Sequence, residues 1–199
     1  MKKFCYMCYK TKDLRLAYVV FVLALILAAC ATPPLEDMNK AHDAVIRAES
    51  DTDAVTFAPT ILIRARDALT RMQAEADAKR YDEAKNFADE AINSAERAIA
   101  EGRAGASRAK QEALNLISSL TDPLEETSNA VNVANGIKDI PLDFDALTAE
   151  LDLAQRTFDD ANQNIEDNNY PEAIAQGQTA RSIISGINNQ LTEAVSRKK

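Results

Sequence analysis

Cysteine supplies the most reactive side chains of this chain, at Cys5, Cys8 and Cys30. The segment "CYMC" gives Cys5 and Cys8 the C-x-x-C spacing of a redox pair or of half a zinc site. A structural zinc site needs about four ligands, and a redox pair needs a folded setting that tunes the thiolate. Both residues lie in a segment that we expect to be removed, so we predict no function for them. Cys30 is either a reactive thiol or a point of attachment.

The residues before Cys30 have the layout of a secretory signal. Residues 1–15 carry five bases against one acid, and the apolar run "LAYVVFVLALILAA" comes next as residues 16–29. A helix needs about 20 apolar residues to cross a bilayer, and this run is shorter. We therefore interpret residues 1–29 as a signal peptide, with its basic flank at the cytoplasmic face.

The four residues Leu27-Ala28-Ala29-Cys30 resemble the lipobox of bacterial lipoproteins. The resemblance implies cleavage between Ala29 and Cys30, a diacylglycerol on the Cys30 thiol, and acylation of the new amine, for example by palmitate. Two or three acyl chains hold a protein stably, because each buried methylene contributes about 0.8 kcal/mol. Cys30 is therefore the predicted lipid-attachment residue. The mature chain then has a single, acylated cysteine and forms no disulfide.

Two other features could in principle carry chemistry. His42 is the only histidine, with no second histidine to share a metal, and we expect it on a helix surface. The segment "DIPLDFDALTAE" resembles a calcium loop, with acidic residues at positions 1, 5, 7 and 12, namely Asp139, Asp143, Asp145 and Glu150. However, Phe144 stands where glycine permits the sharp turn, so we predict an interhelical turn with a helix cap. We predict no catalytic, cofactor or metal site, and no enzyme.

Charge excludes one class of partner. Removal of residues 1–29 takes away five bases and one acid, so the net charge falls from −8 to −12. An acidic domain is repelled by phosphate-rich polymers, and we therefore predict no binding to nucleic acid.

Four segments place small and apolar residues at steps of three and four, the spacing of one buried helix face. The stripes are Leu62, Ala65, Leu69, Met72 and Ala76; Tyr81, Ala84, Ala88, Ala91, Ala95, Ala98 and Gly102; Leu147, Leu151, Ala154, Phe158, Ala161 and Ile165; Tyr170, Ala173, Gly177, Ala180, Ile184, Ile187, Leu191 and Ala194. No segment alternates with period two. The sequence predicts an all-α fold whose helices approach closely.

A shift of 89 residues aligns "PLED" at 34–37 with "PLEE" at 123–126, and "YDEA" at 81–84 with "YPEA" at 170–173. This internal repeat predicts an elongated antiparallel helical bundle made of two diverged three-helix units. We expect the first helices to begin at Pro34 and Pro123, the latter capped by Thr121 or Asp122. The second helices cover 59–78 and 143–167, and a tight turn precedes each third helix. The predicted segments are a signal peptide (1–29), a lipidated tether (30–34), helical unit 1 (35–120) and helical unit 2 (121–199).

The third helix of the first copy could continue past Gly102 and Gly105 to Leu120. These glycines then mark a bend or a close approach, since each weakens a helix by about 1 kcal/mol relative to alanine. Tyr81 and Tyr170 are expected to close the hairpin ends, with their rings inside and their hydroxyls in water.

Residues 57–98, preceded by "AHDAVIRAE", resemble an uncharacterised family of alanine-rich helical lipoproteins of Gram-negative bacteria. The features that carry the resemblance are Ala58-Pro59, the A-x-x-x-L of Ala65 to Leu69, and the Tyr-x-x-Ala of Tyr81 to Ala84. Some relatives join this module to a peptidoglycan-binding domain, and this chain has its diverged second copy in that place. "YDEA" also resembles tetratricopeptide repeats, but their 34-residue period is absent.

Two functions compete. One is a non-catalytic, lipid-anchored envelope scaffold that contacts an envelope protein or the cell wall. The other is a periplasmic carrier or chaperone-like module with a groove between its helical units, which would require a contiguous exposed apolar patch. The stripes are wide enough only for their own packing, which favours the scaffold. Ala31 replaces the Asp that retains enterobacterial lipoproteins at the inner membrane, so the resemblance implies an outer-membrane lipoprotein facing the periplasm.

Overall fold

The computed structural model describes residues 32–137 and 140–197, in which six α-helices and no strand are found. The helices are α1 (Leu35–Ser50), α2 (Thr52–Phe57), α3 (Pro59–Asp77), α4 (Tyr81–Asn135), α5 (Phe144–Glu166) and α6 (Tyr170–Arg197). The predicted all-α helical bundle is confirmed. The described residues form two compact units: unit 1 contains residues 32–51 and 59–98, and unit 2 contains residues 52–58, 99–137 and 140–197.

Unit 1 packs α1, α3 and the first part of α4 around a core of small side chains. The alanines of the predicted α4 seam, at 84, 88, 91, 95 and 98, are all fully buried. Ion pairs on the surface link the helices in pairs: Arg66 to Glu49, Arg64 to Glu90, and Lys85 to Asp37. All three pairs are largely exposed, so each contributes little stability, about 1 kcal/mol or less. The alanine seam, and not the ion pairs, holds this unit together.

The two predicted tight turns are confirmed, and they share one geometry. Lys79 and Asn168 both adopt left-handed backbone conformations, with φ of 60° and 59°. Arg80 N–H donates to the Glu75 carbonyl at 2.9 Å, and the equivalent bond in the second turn, from residue 169 to residue 164, is 2.8 Å. These bonds make each turn a Schellman motif, which ends one helix and reverses the chain. The equivalent donors and acceptors of the two turns are 89 residues apart in the sequence, which is the offset of the sequence repeat.

The tyrosines after these turns differ from each other. Tyr170 is buried, and its hydroxyl donates to Asn168 Oδ1 at 2.6 Å. Tyr81 is only half-buried. The ring of Tyr170 is therefore inside as predicted, and the asparagine in its own turn supplies an acceptor for its hydroxyl.

The glycines of α4 mark a close approach, as predicted. In unit 2, a Cβ atom built on Gly102 would lie 2.5 Å from the Ala54 backbone nitrogen of α2. A Cβ atom on Gly105 would lie 2.5 Å from Phe57 Cβ. Only glycine permits this packing, so α2 lies directly on α4.

The helix predicted to begin at Pro123 does not exist as a separate element. The helix α4 is continuous from Tyr81 to Asn135 and includes Pro123 in its interior. Thr121 and Asp122 are accordingly helical residues and not caps. Proline inside a helix costs about 3 kcal/mol, because it removes one hydrogen bond and crowds the preceding turn. Burial outweighs this cost: α4 buries Leu116, Ile117, Leu120 and Leu124 on both sides of the proline.

Unit 2 packs α4 against the α5–α6 hairpin. The fourth predicted stripe is buried along its whole length, from Tyr170 to Ala194. In the third stripe Leu147, Ala154 and Ala161 are buried, whereas Leu151, Phe158 and Ile165 are half-buried. Thr127 is fully buried, and its Oγ1 accepts a hydrogen bond from Asn188 Nδ2 at 2.8 Å. The core of unit 2 is thus built of larger aliphatic side chains than that of unit 1.

Candidate functional site

The predicted attachment residue Cys30 and its neighbour Ala29 lie outside the described residues, which begin at Thr32. Leu35 N–H donates to the Pro33 carbonyl at 2.9 Å, and Met38 N–H donates to the Pro34 carbonyl at 3.0 Å. Regular hydrogen bonding therefore begins within a few residues of Cys30. Five residues of extended chain reach at most roughly 17 Å. A lipid on Cys30 would therefore hold the start of α1 close to the bilayer.

The first turn of α1 carries charge suited to its position. Lys40 Nζ donates to Glu36 Oε1 at 2.6 Å, and this hydrogen bond lowers the pKa of the Glu36 carboxyl from its usual value. Glu36 and Asp37 also lie where the helix dipole favours negative charge. These interactions help define where the helix begins after the tether.

The other residues singled out from the sequence are not brought together. His42 is exposed on α1. Asp143 caps α5, because its carboxylate accepts a hydrogen bond from Ala146 N–H at 3.1 Å. Glu150 accepts a hydrogen bond from Gln190 Nε2 at 3.0 Å. Asp139 lies outside the described residues. The predicted interhelical turn with a helix cap is confirmed. Among residues 32–137 and 140–197, no group of three or more His, Cys, Asp or Glu side chains is placed to hold a metal.

Unit 2 contains an open groove of about 550 Å³ between α4 and α6, lined mainly by polar and charged residues. Arg108 on α4 and Arg181 on α6 both line it, over a floor that includes the buried side chain of Leu116. Hydroxyl and amide groups line much of the remainder, together with the carboxylate of Glu112. We call this feature the arginine groove. Its size is within the range of about 300–1,000 Å³ that is usual for ligand sites.

Local structure explains how Arg181 is placed. Ser119 Oγ donates to the Leu116 carbonyl at 2.7 Å, and Arg181 Nη2 donates to that Oγ at 3.1 Å. The Ser119 carbonyl has no helical N–H donor four residues later, since that residue is Pro123. The groove was not predicted from the sequence, although "GRAGASRAK", residues 102–110, has three bases and no acid in an acidic chain.

A second groove in unit 2 is apolar. It has a volume of about 790 Å³ and lies between the C-terminal parts of α4 and α6. Its lining includes Val133, Ile137 and Val195, whose exposed fractions are 67%, 47% and 50%. These three side chains lie outside the predicted stripes, so the stripes did not indicate this groove. The three side chains give this end of unit 2 a small exposed apolar surface.

No helix in the described part of the chain is both long and apolar enough to span a bilayer. Residues 36–114 match the family described as a domain of unknown function (DUF4398). This match supports, over that segment, the resemblance to an uncharacterised domain family. It covers the contacts of α2 with Gly102 and Gly105 and the start of the arginine groove. No curated protein and no solved structure matches the chain.

Proposed function

We propose that the chain is a non-catalytic, lipid-anchored scaffold of the bacterial envelope, attached through Cys30 and facing the periplasm. The observation that carries this proposal is the leader, in which a basic segment and an apolar segment end in Leu-Ala-Ala-Cys. Helix α1 begins only a few residues later, at Leu35. A short tether joined to a helical bundle holds a protein surface at a fixed height above a membrane. Such an arrangement suits contact with an envelope protein or the cell wall.

The packing of unit 1 is consistent with this role. Its alanine seam lets helix backbones approach closely, and its outer faces carry exposed ion pairs. Tightly packed helices keep the backbone positions of their surface residues fixed, and a rigid backbone lowers the entropic cost of binding a partner. Unit 1 would therefore present a preformed contact surface.

The test of attachment is the Cys30→Ser substitution, with Cys5→Ser as its matched control. We expect Cys30→Ser to block labelling by palmitate and removal of the leader, because the thiol that accepts the lipid is lost. The control should be labelled and processed as the native chain is, since Cys5 lies in the segment to be removed. Palmitate entering the Cys30→Ser chain at the native level would refute the anchor.

Membrane location is a separate measurement. Ala31 comes directly after the attachment residue, and the proposal therefore expects co-sedimentation with outer-membrane markers on a density gradient of host membranes. Sedimentation with inner-membrane markers would contradict the location but not the anchor. Degradation by protease added to whole cells would instead indicate the outer surface.

Crosslinking of intact envelopes, with subsequent capture of the chain, distinguishes a scaffold from a carrier. A scaffold gives one or a few partners in fixed stoichiometry, whereas a carrier gives many unrelated clients. We expect the first result.

The apolar groove supports a second candidate function, a binding module for an aliphatic ligand. Val133, Ile137 and Val195 are already exposed, so they could cover one apolar chain without any rearrangement of the core. We expect Val133→Asp to weaken binding of a fluorescent fatty acid, while Leu153→Asp, at a 48% exposed residue of the same unit, leaves binding unchanged. Equal binding by the two variants and the native chain would eliminate this groove as the site.

A further inference from the structure

We propose that the apolar groove of unit 2 binds an amphipathic α-helix of a partner protein, whose aliphatic face contacts Val133, Ile137 and Val195. The inference rests on the proposed scaffold function and deepens it, because it names a surface through which the scaffold contacts a protein.

The two helices beside this groove run in the same direction. Arg181 of α6 bonds to Ser119 of α4, 62 positions earlier, and Asn188 bonds to Thr127, 61 positions earlier. Because these offsets are nearly equal, the two helices stay side by side as they approach the groove. Each helix then lines it with residues three or four apart, namely Asn129, Ala130, Val133 and Ala134 on α4, and Asn188, Leu191, Thr192 and Val195 on α6. Such rows on two neighbouring helices form a channel into which a third helix packs.

The size of the groove suits a short helix. Its lining on α4 extends from Glu126 to Ala134, a rise of about 12 Å, or roughly two helical turns. Each partner of a stable dimer buries roughly 800 Å², a larger surface than three exposed aliphatic side chains provide. Glu126 is the only charged residue in the lining, and the chain is acidic, so lysine or arginine on the polar face of the partner helix is favoured.

The internal repeat shows which kind of element covers the equivalent place in the other copy. The offset of 89 residues aligns Leu191 and Ala194 of α6 with Gly102 and Gly105 of α4. Those two glycines lie directly against the short helix α2, at distances that leave no room for a Cβ atom. A helix of only six residues is therefore enough to cover this position of the repeat.

The second copy has no such helix of its own. Residues 141–146 are the counterpart of α2, but 141–143 are not helical and 144–146 form the first turn of α5. Ile140, Leu142 and Phe144 cover part of the adjoining core and leave the three contact residues exposed. The repeat counterparts of those three residues are all buried, namely Ala44, Ala48 and Ala106. The second copy thus exposes a face that the first copy keeps covered, and a helix from another protein can take that place.

The test measures the fluorescence anisotropy of a labelled model peptide. The peptide contains about 18 residues of leucine, alanine and lysine, with its leucines on one helix face, a length at which isolated helices form. A peptide of the same composition in shuffled order has no apolar face and is its control. The protein is the Cys30→Ser chain without the leader, which retains every residue that the structure describes.

We expect saturable binding of the amphipathic peptide and none of the shuffled one. Val133→Asp and Val195→Asp, one on each side of the groove, should each weaken binding about tenfold. Leu153→Asp is the matched control, because it adds the same charge at a 48% exposed residue of α5 outside the groove, and it should bind as the parent chain does. All three replaced side chains are exposed, so the variants should fold, which circular dichroism checks.

Equal binding of the two peptides, or equal weakening by the three substitutions, would overturn the proposal. Absence of peptide binding would do the same, whether or not a fluorescent fatty acid binds. A dimer of the chain that Val133→Asp dissociates, detected by sedimentation, would show that a second copy occupies the groove and would also overturn it. None of these results bears on palmitate labelling at Cys30, so the anchor is tested separately.

Discussion

Replacement of Gly102 by alanine measures how closely α2 lies on α4. The new Cβ atom would stand 2.5 Å from the Ala54 nitrogen and 2.7 Å from its Cα atom. Both are backbone atoms, so no side-chain rotation can relieve the overlap, and α2 itself must move. Added volume in a packed site costs about 1–3 kcal/mol.

The same substitution also has a favourable contribution. Alanine is better than glycine inside a helix by about 1 kcal/mol. Because the overlap at residue 102 involves backbone on one side, we place its cost near the upper end of the range. The expected net result for Gly102→Ala is a loss of about 1–2 kcal/mol in the free energy of unfolding.

Gly186 provides the matched control, because it lies inside α6 and nothing stands within 4 Å of a Cβ atom built on it. Gly186→Ala should therefore stabilise the protein by about 1 kcal/mol through helix propensity alone. Urea unfolding monitored by circular dichroism, on Cys30→Ser protein without the leader, measures both variants. If Gly102→Ala stabilises the protein as much as Gly186→Ala does, α2 does not lie on α4 in the way that these distances require.

Three further predictions concern turns and buried polar groups. Lys79→Gly should raise the free energy of unfolding by about 1 kcal/mol in thermal denaturation, because Lys79 has φ of 60° and glycine adopts that conformation without a Cβ penalty. The hydrogen bond from Arg80 lowers the Glu75 pKa from its usual 4.5, so its stabilisation is present above pH 4.5 and is lost as pH falls through the lowered pKa. Glu75→Gln should therefore unfold more easily than the native chain at neutral pH and equally easily in strong acid, and a constant difference across pH would contradict this assignment. Thr127→Val should cost about 1 kcal/mol in urea unfolding by removing the acceptor for Asn188, and Asn188→Ala added to it should cost less than it does alone.

Sequence periodicity predicted the helices whose stripes are continuous. The seams from Ala84 to Ala98 and from Tyr170 to Ala194 are buried as expected, because a helix can bury only one face and small residues allow close approach. The turns before Tyr81 and Tyr170 were predictable from the same pattern, since each stripe stops and restarts there.

The sequence pattern did not predict the structure correctly where packing between helices outweighed a local sequence signal. Pro123 indicates a helix start by local rules, yet Leu120 and Leu124 belong to one buried face, and breaking the helix between them would expose it. The arginine groove could not be predicted because Arg108 and Arg181 are 73 residues apart and lie on polar helix faces. Nothing in the local sequence pairs those faces with each other.

The α3–α4 and α5–α6 hairpins share a turn geometry, but the side chains on their buried faces differ in size. Ala95 and Ala98 of the first hairpin occupy the places of Ile184 and Ile187 in the second, and all four residues are buried. A chain with two similar hairpins can pair the wrong segments while it folds, and proteins with internal repeats are prone to such errors. An isoleucine forced into the alanine seam would overlap its neighbours, and an alanine in the isoleucine seam would leave a cavity. We therefore expect each helix to be most stable with the partners of its own unit.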